Sequence, residues 1–162
     1  MLIYHSAHFE EFPYGSYLAH LYRFSIGEFR FVVIFSPIDL ADSIYHAFRS
    51  EEVGFLIPEG CFDVKFDREE NFVNGTYYSP PQRGKSAKSM VFSKKLAEAI
   101  ETVILRHLIT YEARAYFAVA ENDKLRRFYD RILQASCDKL VFTSETGLGE
   151  GGMGYVLKTR YF

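Results

Sequence analysis

The sequence predicts an α/β (α+β) fold, a mixed, mostly antiparallel central sheet flanked by helices. Three observations carry this reading. Short runs rich in Phe, Tyr, Val and Ile alternate with polar residues at the period of a strand. Longer segments repeat their apolar residues every three or four positions, as a half-buried helix does. The two kinds are interspersed along the chain, so the helices pack onto a common sheet.

Residues 1–15 are aromatic and histidine-containing and read as irregular chain or a short strand, ended by Pro13-Tyr14-Gly15. Residues 17–24 alternate, and residues 29–35 (FRFVVIF) are dense in strand formers. A turn at Ile26-Gly27-Glu28 joins them as a hairpin that Ser36-Pro37 ends. Residues 39–50 read as a helix with Leu40, Ile44, Ala47 and Phe48 on its inner face. Residues 61–66 (CFDVKF) alternate again, with Phe62, Val64 and Phe66 on one side. Residues 71–78 read as a further strand, and Asn74-Gly75-Thr76 as a hairpin turn within it and not a glycosylation site. A polar loop at 79–88 leads to a long helix from Phe92 or Ser93 to Ile109, striped by Leu96, Ile100, Val103, Ile104 and Leu108. A strand at 113–120 runs into a helix at 123–134, whose inner face is Leu125, Phe128, Tyr129, Ile132 and Leu133. Strands at 139–144 and 155–161 close the chain around a glycine-rich turn. One right-handed parallel crossover is expected, from 71–78 through the long helix to 113–120.

The 162 residues suit a single domain spanning 1–162, long enough for a packed core. Hydrophobic residues make up 48% and charged residues 25%, the balance of a globular chain and not a disordered one. The aromatic share of 17% comes from Phe and Tyr alone, which assigns most rings to the core. A net charge of −2 gives no basic face for nucleic acid. No stretch is long and apolar enough to span a membrane, and the N-terminus has no signal-peptide pattern, so a cytoplasmic location is expected. Cys61 and Cys137 lie far apart without metal-ligand spacing, and neither they nor His5 and His8 make a metal site.

Three motif matches fail on context. Residues 149–156 (GEGGMGYV) fit the glycine-rich loop of protein kinases, yet only six residues follow where a kinase domain would begin. Residues 147–152 spell G-x-G-x-x-G, but a strand follows where a dinucleotide site needs a helix. Gly84-Lys85-Ser86 ends a P-loop pattern whose first position is Ser79 and whose cradle contains Pro80 and Pro81, which lack N–H donors. What survives is a cluster of cations, Arg83, Lys85 and Lys88, just before a helix N-terminus that attracts anions.

The C-terminal half, roughly 72–162, resembles the GCN5-related N-acetyltransferase superfamily. Arg83-Gly84-Lys85-Ser86-Ala87-Lys88 looks like the family's pyrophosphate-binding turn, with Ser86 and Lys88 where the family carries glycines. The long helix and the 113–120 strand follow, and Asn122 and Tyr129 stand at the family's seven-residue separation, with Phe128 before the tyrosine. The resemblance implies an acetyltransferase-like fold with a V-shaped cleft beside Asn122, between the strands at 71–78 and 113–120. It implies binding of acetyl-CoA by Arg83, Gly84, Lys85, Ser86, Lys88 and Asn122. It also implies transfer of the acyl group to a small-molecule or protein amine. Tyr129 would protonate the leaving thiolate, and Glu112, or Glu69 or Glu70, would act as base. Backbone N–H groups of the 115–120 strand would hold the thioester carbonyl. Two other readings stand beside this one. The first is a non-catalytic protein-interaction module on a degenerate fold of that kind, binding a partner through its aromatic N-terminal half. The second is an anion- or nucleotide-binding module centred on 83–88.

Overall fold

The computed structural model describes residues 2–81, 89–136 and 142–162, with the side chains of 135 and 136 excepted. Its frame is an eight-stranded sheet that is antiparallel throughout except at one seam. Strands β1 (Ile3–His5) and β2 (Glu10–Tyr14) both pair with the same edge of β3 (Tyr17–Ile26). The segment read as irregular chain or one short strand is thus two strands, with the chain bending between them so that both reach β3. A hairpin joins β3 to β4 (Phe29–Pro37), as expected.

Helix α1 (Ser43–Val53) begins at Asp42, whose carboxylate accepts the Tyr45 N–H at 3.0 Å. Its inward face is not the expected apolar one. Ser50 and Val53 are buried, while Ile44 and Phe48 are 83% and 65% exposed. Polar contacts decide the orientation. Ser50 Oγ accepts the Ile57 N–H at 3.1 Å, His46 Nε2 lies 2.8 Å from the Ile57 carbonyl, and the Tyr45 hydroxyl donates to Asp63 at 2.9 Å. Arg49 pairs with the same carboxylate at 2.5 Å and lies over the Phe117 ring.

Strand β5 (Cys61–Arg68) pairs with β4 along its length. The expected strand at 71–78 does not form. The chain turns at once into the short helix α2 (Glu69–Asn74), and Gly75, at φ 68°, caps it by donating its N–H back to Phe72. Asn74-Gly75 is therefore a left-handed helix end and not a hairpin turn. The parallel crossover accordingly starts from β5, which ends at Arg68, before the expected strand would begin. Helix α3 (Met90–Tyr111), capped by Ser89, carries it to β6 (Ala115–Val119). Helix α4 (Asp123–Ser136) follows, then β7 (Thr143–Leu148) and β8 (Gly154–Lys158), giving the order β1-β3-β4-β5-β6-β8-β7 with β2 beside β1.

The pleat of β6 separates two cores. Tyr116 faces the larger one, where α3 and α4 cover rings from β3, β4 and β5. Ala115 and Phe117 face the smaller one with Val53 of α1, Ile57 and Val156. A polar chain crosses the larger core: His20 Nδ1 lies 2.8 Å from His107 Nε2, and His107 Nδ1 lies 2.7 Å from the Tyr116 hydroxyl. Phe35 and Tyr111 stack on its two imidazoles. No helix among the described residues is long and apolar enough to cross a membrane.

Candidate functional site

The parallel seam is short. Only Cys61, Phe62 and Asp63 of β5 pair with Ala115, Tyr116 and Phe117 of β6. Beyond that point β5 stays with β4 as far as Arg68, and β6 stays with β8 as far as Val119, so the two strands part. The gap leaves backbone groups without ladder partners inside a sheet. The Ala120 N–H is taken by the Met153 carbonyl at 2.9 Å, on the β8 side. Alternation along an antiparallel pair then turns the Val119 N–H toward the gap.

A cleft of about 340 Å³ opens on this side of the sheet, between the ends of β4 and β5, the 78–81 segment and the first turns of α3 and α4, with Asn122 just beyond β6 on its wall. Its apolar floor includes Phe66, Phe92 and Phe128, and its rim carries Arg68, Lys124 and Arg131 against one carboxylate, Asp67. That carboxylate is already occupied. Asp67 Oδ1 accepts the Arg68 N–H and the Asn71 side-chain amide, both at 2.8 Å, and Oδ2 accepts the Tyr78 N–H at 2.6 Å. Asn71 also donates to the Ser79 carbonyl at 3.0 Å, so the 67–79 segment is wound around Asp67. Tyr78 is held at φ 60°, an uncommon conformation for a bulky residue. The cleft is thus cationic at its rim.

One phenol, Tyr78, lines this opening, and a second, Tyr129, lies behind Phe66. Tyr129 packs edge-on to Tyr155, with ring centroids 5.4 Å apart, and against Phe66 at 6.1 Å. Burial foremost, then Tyr78 and the Glu121 carboxylate, hold its hydroxyl well above the ordinary phenol range. Among the described residues that hydroxyl has no hydrogen-bond partner. Burial, followed by Glu121 and Asp67, pushes Tyr78 up to about 12. Both phenols stay protonated at neutral pH.

Of the residues singled out in the sequence, Asn122 comes to this cleft, and Tyr129 lies behind it, against Phe66. Asn122 lines it while its side-chain oxygen accepts the Leu125 N–H at 2.9 Å and caps α4. Glu112 does not join them. It ends α3 in a left-handed conformation (φ 52°) and precedes β6, whereas Asn122 follows it. A five-residue strand, about 17 Å long, separates the two positions. Glu69 is paired with Arg23 at 2.5 Å and Glu70 with Arg68, and neither lines the cleft. Glu121 is the glutamate that acts on both phenols. Arg83, Gly84, Lys85, Ser86 and Lys88 lie outside the described residues, as does Cys137.

Sequence reasoning passed over Asp67, Tyr78, Lys124, Arg131 and Glu121. Glu121 was signalled by its place beside Asn122 at the strand end. The others come from segments that converge only through the crossover. No family model matches the sequence, and no curated protein or solved structure matches it either.

Proposed function

We propose that the chain is an acyl-CoA-dependent N-acyltransferase whose coenzyme arm enters between β5 and β6. The parted parallel strands support this reading most. They leave unpaired backbone groups beside a cationic cleft that adjoins the N-termini of α3 and α4, which suits an amide-containing arm ending in phosphates. The resemblance of the C-terminal half points the same way, and the cleft lies beside Asn122 as that resemblance implies. In the reaction, a neutral amine nitrogen bonds to the thioester carbon and the C–S bond breaks. Tyr129 gives its proton to the departing thiolate. The surplus amine proton leaves through water toward Glu121, and Tyr129 regains a proton from solvent. The Val119 N–H would hold the carbonyl oxygen as charge grows on it.

Calorimetric titration with acetyl-CoA tests the reading. Binding that Lys85→Ala weakens is expected, and no heat at millimolar coenzyme would overturn it. The exposed face of α1 favours a second reading, a non-catalytic interaction module. Ile44 and Phe48, one helical turn apart, are both more than half exposed, apolar surface of the kind that marks interaction sites. A stable partner complex formed without coenzyme would support it.

A further inference from the structure

Beneath the cleft lies a second, smaller cavity of about 70 Å³, between the sheet and helices α3 and α4. Val64, Ile104, Ala118 and Ile132 are among its walls, and no charged side chain lines it. Phe66 borders both spaces, and Tyr129 stands in the wall of the inner one. Ala118, in the cavity wall, immediately precedes Val119, so a carbonyl held at the Val119 N–H brings its substituent beside that wall. A polar substituent would lose its water there without gaining a partner. An apolar cavity of about 150 Å³ accommodates benzene, so the inner space scales to about three carbon atoms.

We propose that this cavity receives a short aliphatic acyl chain, so that the preferred donor is a butanoyl-class thioester and not an acetyl one. The assignment rests on the coenzyme reading above for the route by which the chain arrives. It adds a length limit set by the size of the cavity, whose walls include Ala118, Ile104 and Ile132.

The test compares CoA, acetyl-CoA, butanoyl-CoA and octanoyl-CoA by calorimetry. In parallel, the methyl NMR signals of Ile104 and Ile132 are followed during addition of S-butanoyl-N-acetylcysteamine, which lacks the nucleotide. Butanoyl-CoA is expected to bind on the order of tenfold more tightly than acetyl-CoA, each of two methylenes giving about fourfold. Octanoyl-CoA is expected to lose that gain. Ala118→Leu fills part of the cavity and brings the butanoyl-to-acetyl ratio near one, and the milder Ala118→Val serves if the leucine variant does not fold. Equal affinities for CoA, acetyl-CoA and butanoyl-CoA, with unmoved methyl signals, would overturn the cavity assignment and leave the coenzyme reading standing. Shifted methyls with no coenzyme binding would do the reverse. No response in either arm overturns both.

Discussion

Two residues make opposite demands on a proton. His107 is fully buried and hydrogen-bonded at both nitrogens. The Tyr116 hydroxyl donates to His107 Nδ1, which leaves Nε2–H to donate to His20; the reverse polarity would strand the phenolic proton. Phe9, Phe35, Phe62, Tyr111 and Tyr116 surround the ring, and His20 is the titratable neighbour that adds to its burial. Burial, then His20, pushes His107 from 6.5 down to about 2. Burial lowers His20 as well, with Glu11 opposing. Between those values the unfolded chain binds a proton that the folded chain refuses. The contribution of His107 to stability is therefore flat above pH 6.5 and falls as pH drops below it, by about 1.4 kcal/mol per pH unit for one proton. Urea unfolding at steps from pH 7.5 to 4.5 reads this slope. His107→Leu lowers stability at every pH but flattens the profile by about one proton, and an unchanged slope would show that His107 titrates normally in the fold. Tyr129 holds its proton instead, with no partner among the described residues. Tyr129→Phe is accordingly expected to leave the melting temperature within about two degrees. In the proposed reaction it lowers kcat about 100-fold with little change in KM for the coenzyme. A loss confined to KM would move the residue from acid to binding.

At the scale of elements, α2 shows best how a local signal can be read in two ways. Gly75 ends it at φ 68°, where a Cβ meets no neighbour. Only backbone strain opposes Gly75→Ala, which is expected to cost about 1 kcal/mol. A neutral or stabilising change in chemical denaturation would return Asn74-Gly75 to a flexible turn. The sequence carries the same dipeptide whether a hairpin or a helix end follows. Asp67 decides between them by collecting three donors from residues 68, 71 and 78, and no periodicity reports such a tertiary contact. The α1 error has a similar cause. Ile44 and Phe48 have helical spacing, yet the helix docks through Tyr45, Arg49 and Ser50, whose partners Asp63 and Ile57 come from a later segment. The hairpin of β3 and β4, the long helix and the β6–α4 junction were legible because their patterns are local and strong. The strand–Asn–helix junction also put Asn122 at the start of α4, where it caps the helix and lines the cleft. The opposite wall of the site was not legible, because the parallel crossover joins β5, and not residues 71–78, to β6.

At the scale of the whole molecule, two sheet portions, β1–β5 and β6–β8, meet at three parallel residue pairs. Helix α3 reinforces the joint. Phe92 near its start packs on Phe29 and Phe31, and His107 near its end contacts both Phe62 of β5 and Tyr116 of β6. The seam is thus firm at the 61–63 end and open at the other. Amide exchange can separate these ends residue by residue. The Ala118 and Ala120 N–H groups face β8, and the latter is held by Met153 at 2.9 Å. They exchange only with large-scale opening of the sheet. Val119 lies between them, is 41% exposed and turns its N–H to the gap, so it exchanges orders of magnitude faster in the free protein. A ligand that occupies the gap and accepts this N–H slows Val119 toward its neighbours while leaving theirs nearly unchanged. At a ligand concentration of 100 Kd it also adds about 2.7 kcal/mol to global stability. If Val119 in the free protein is as slow as Ala118, the strands are joined at this end, and the cleft and the function built on it both fall. If Val119 is fast and stays fast under saturating acetyl-CoA, the gap exists but the coenzyme does not use it.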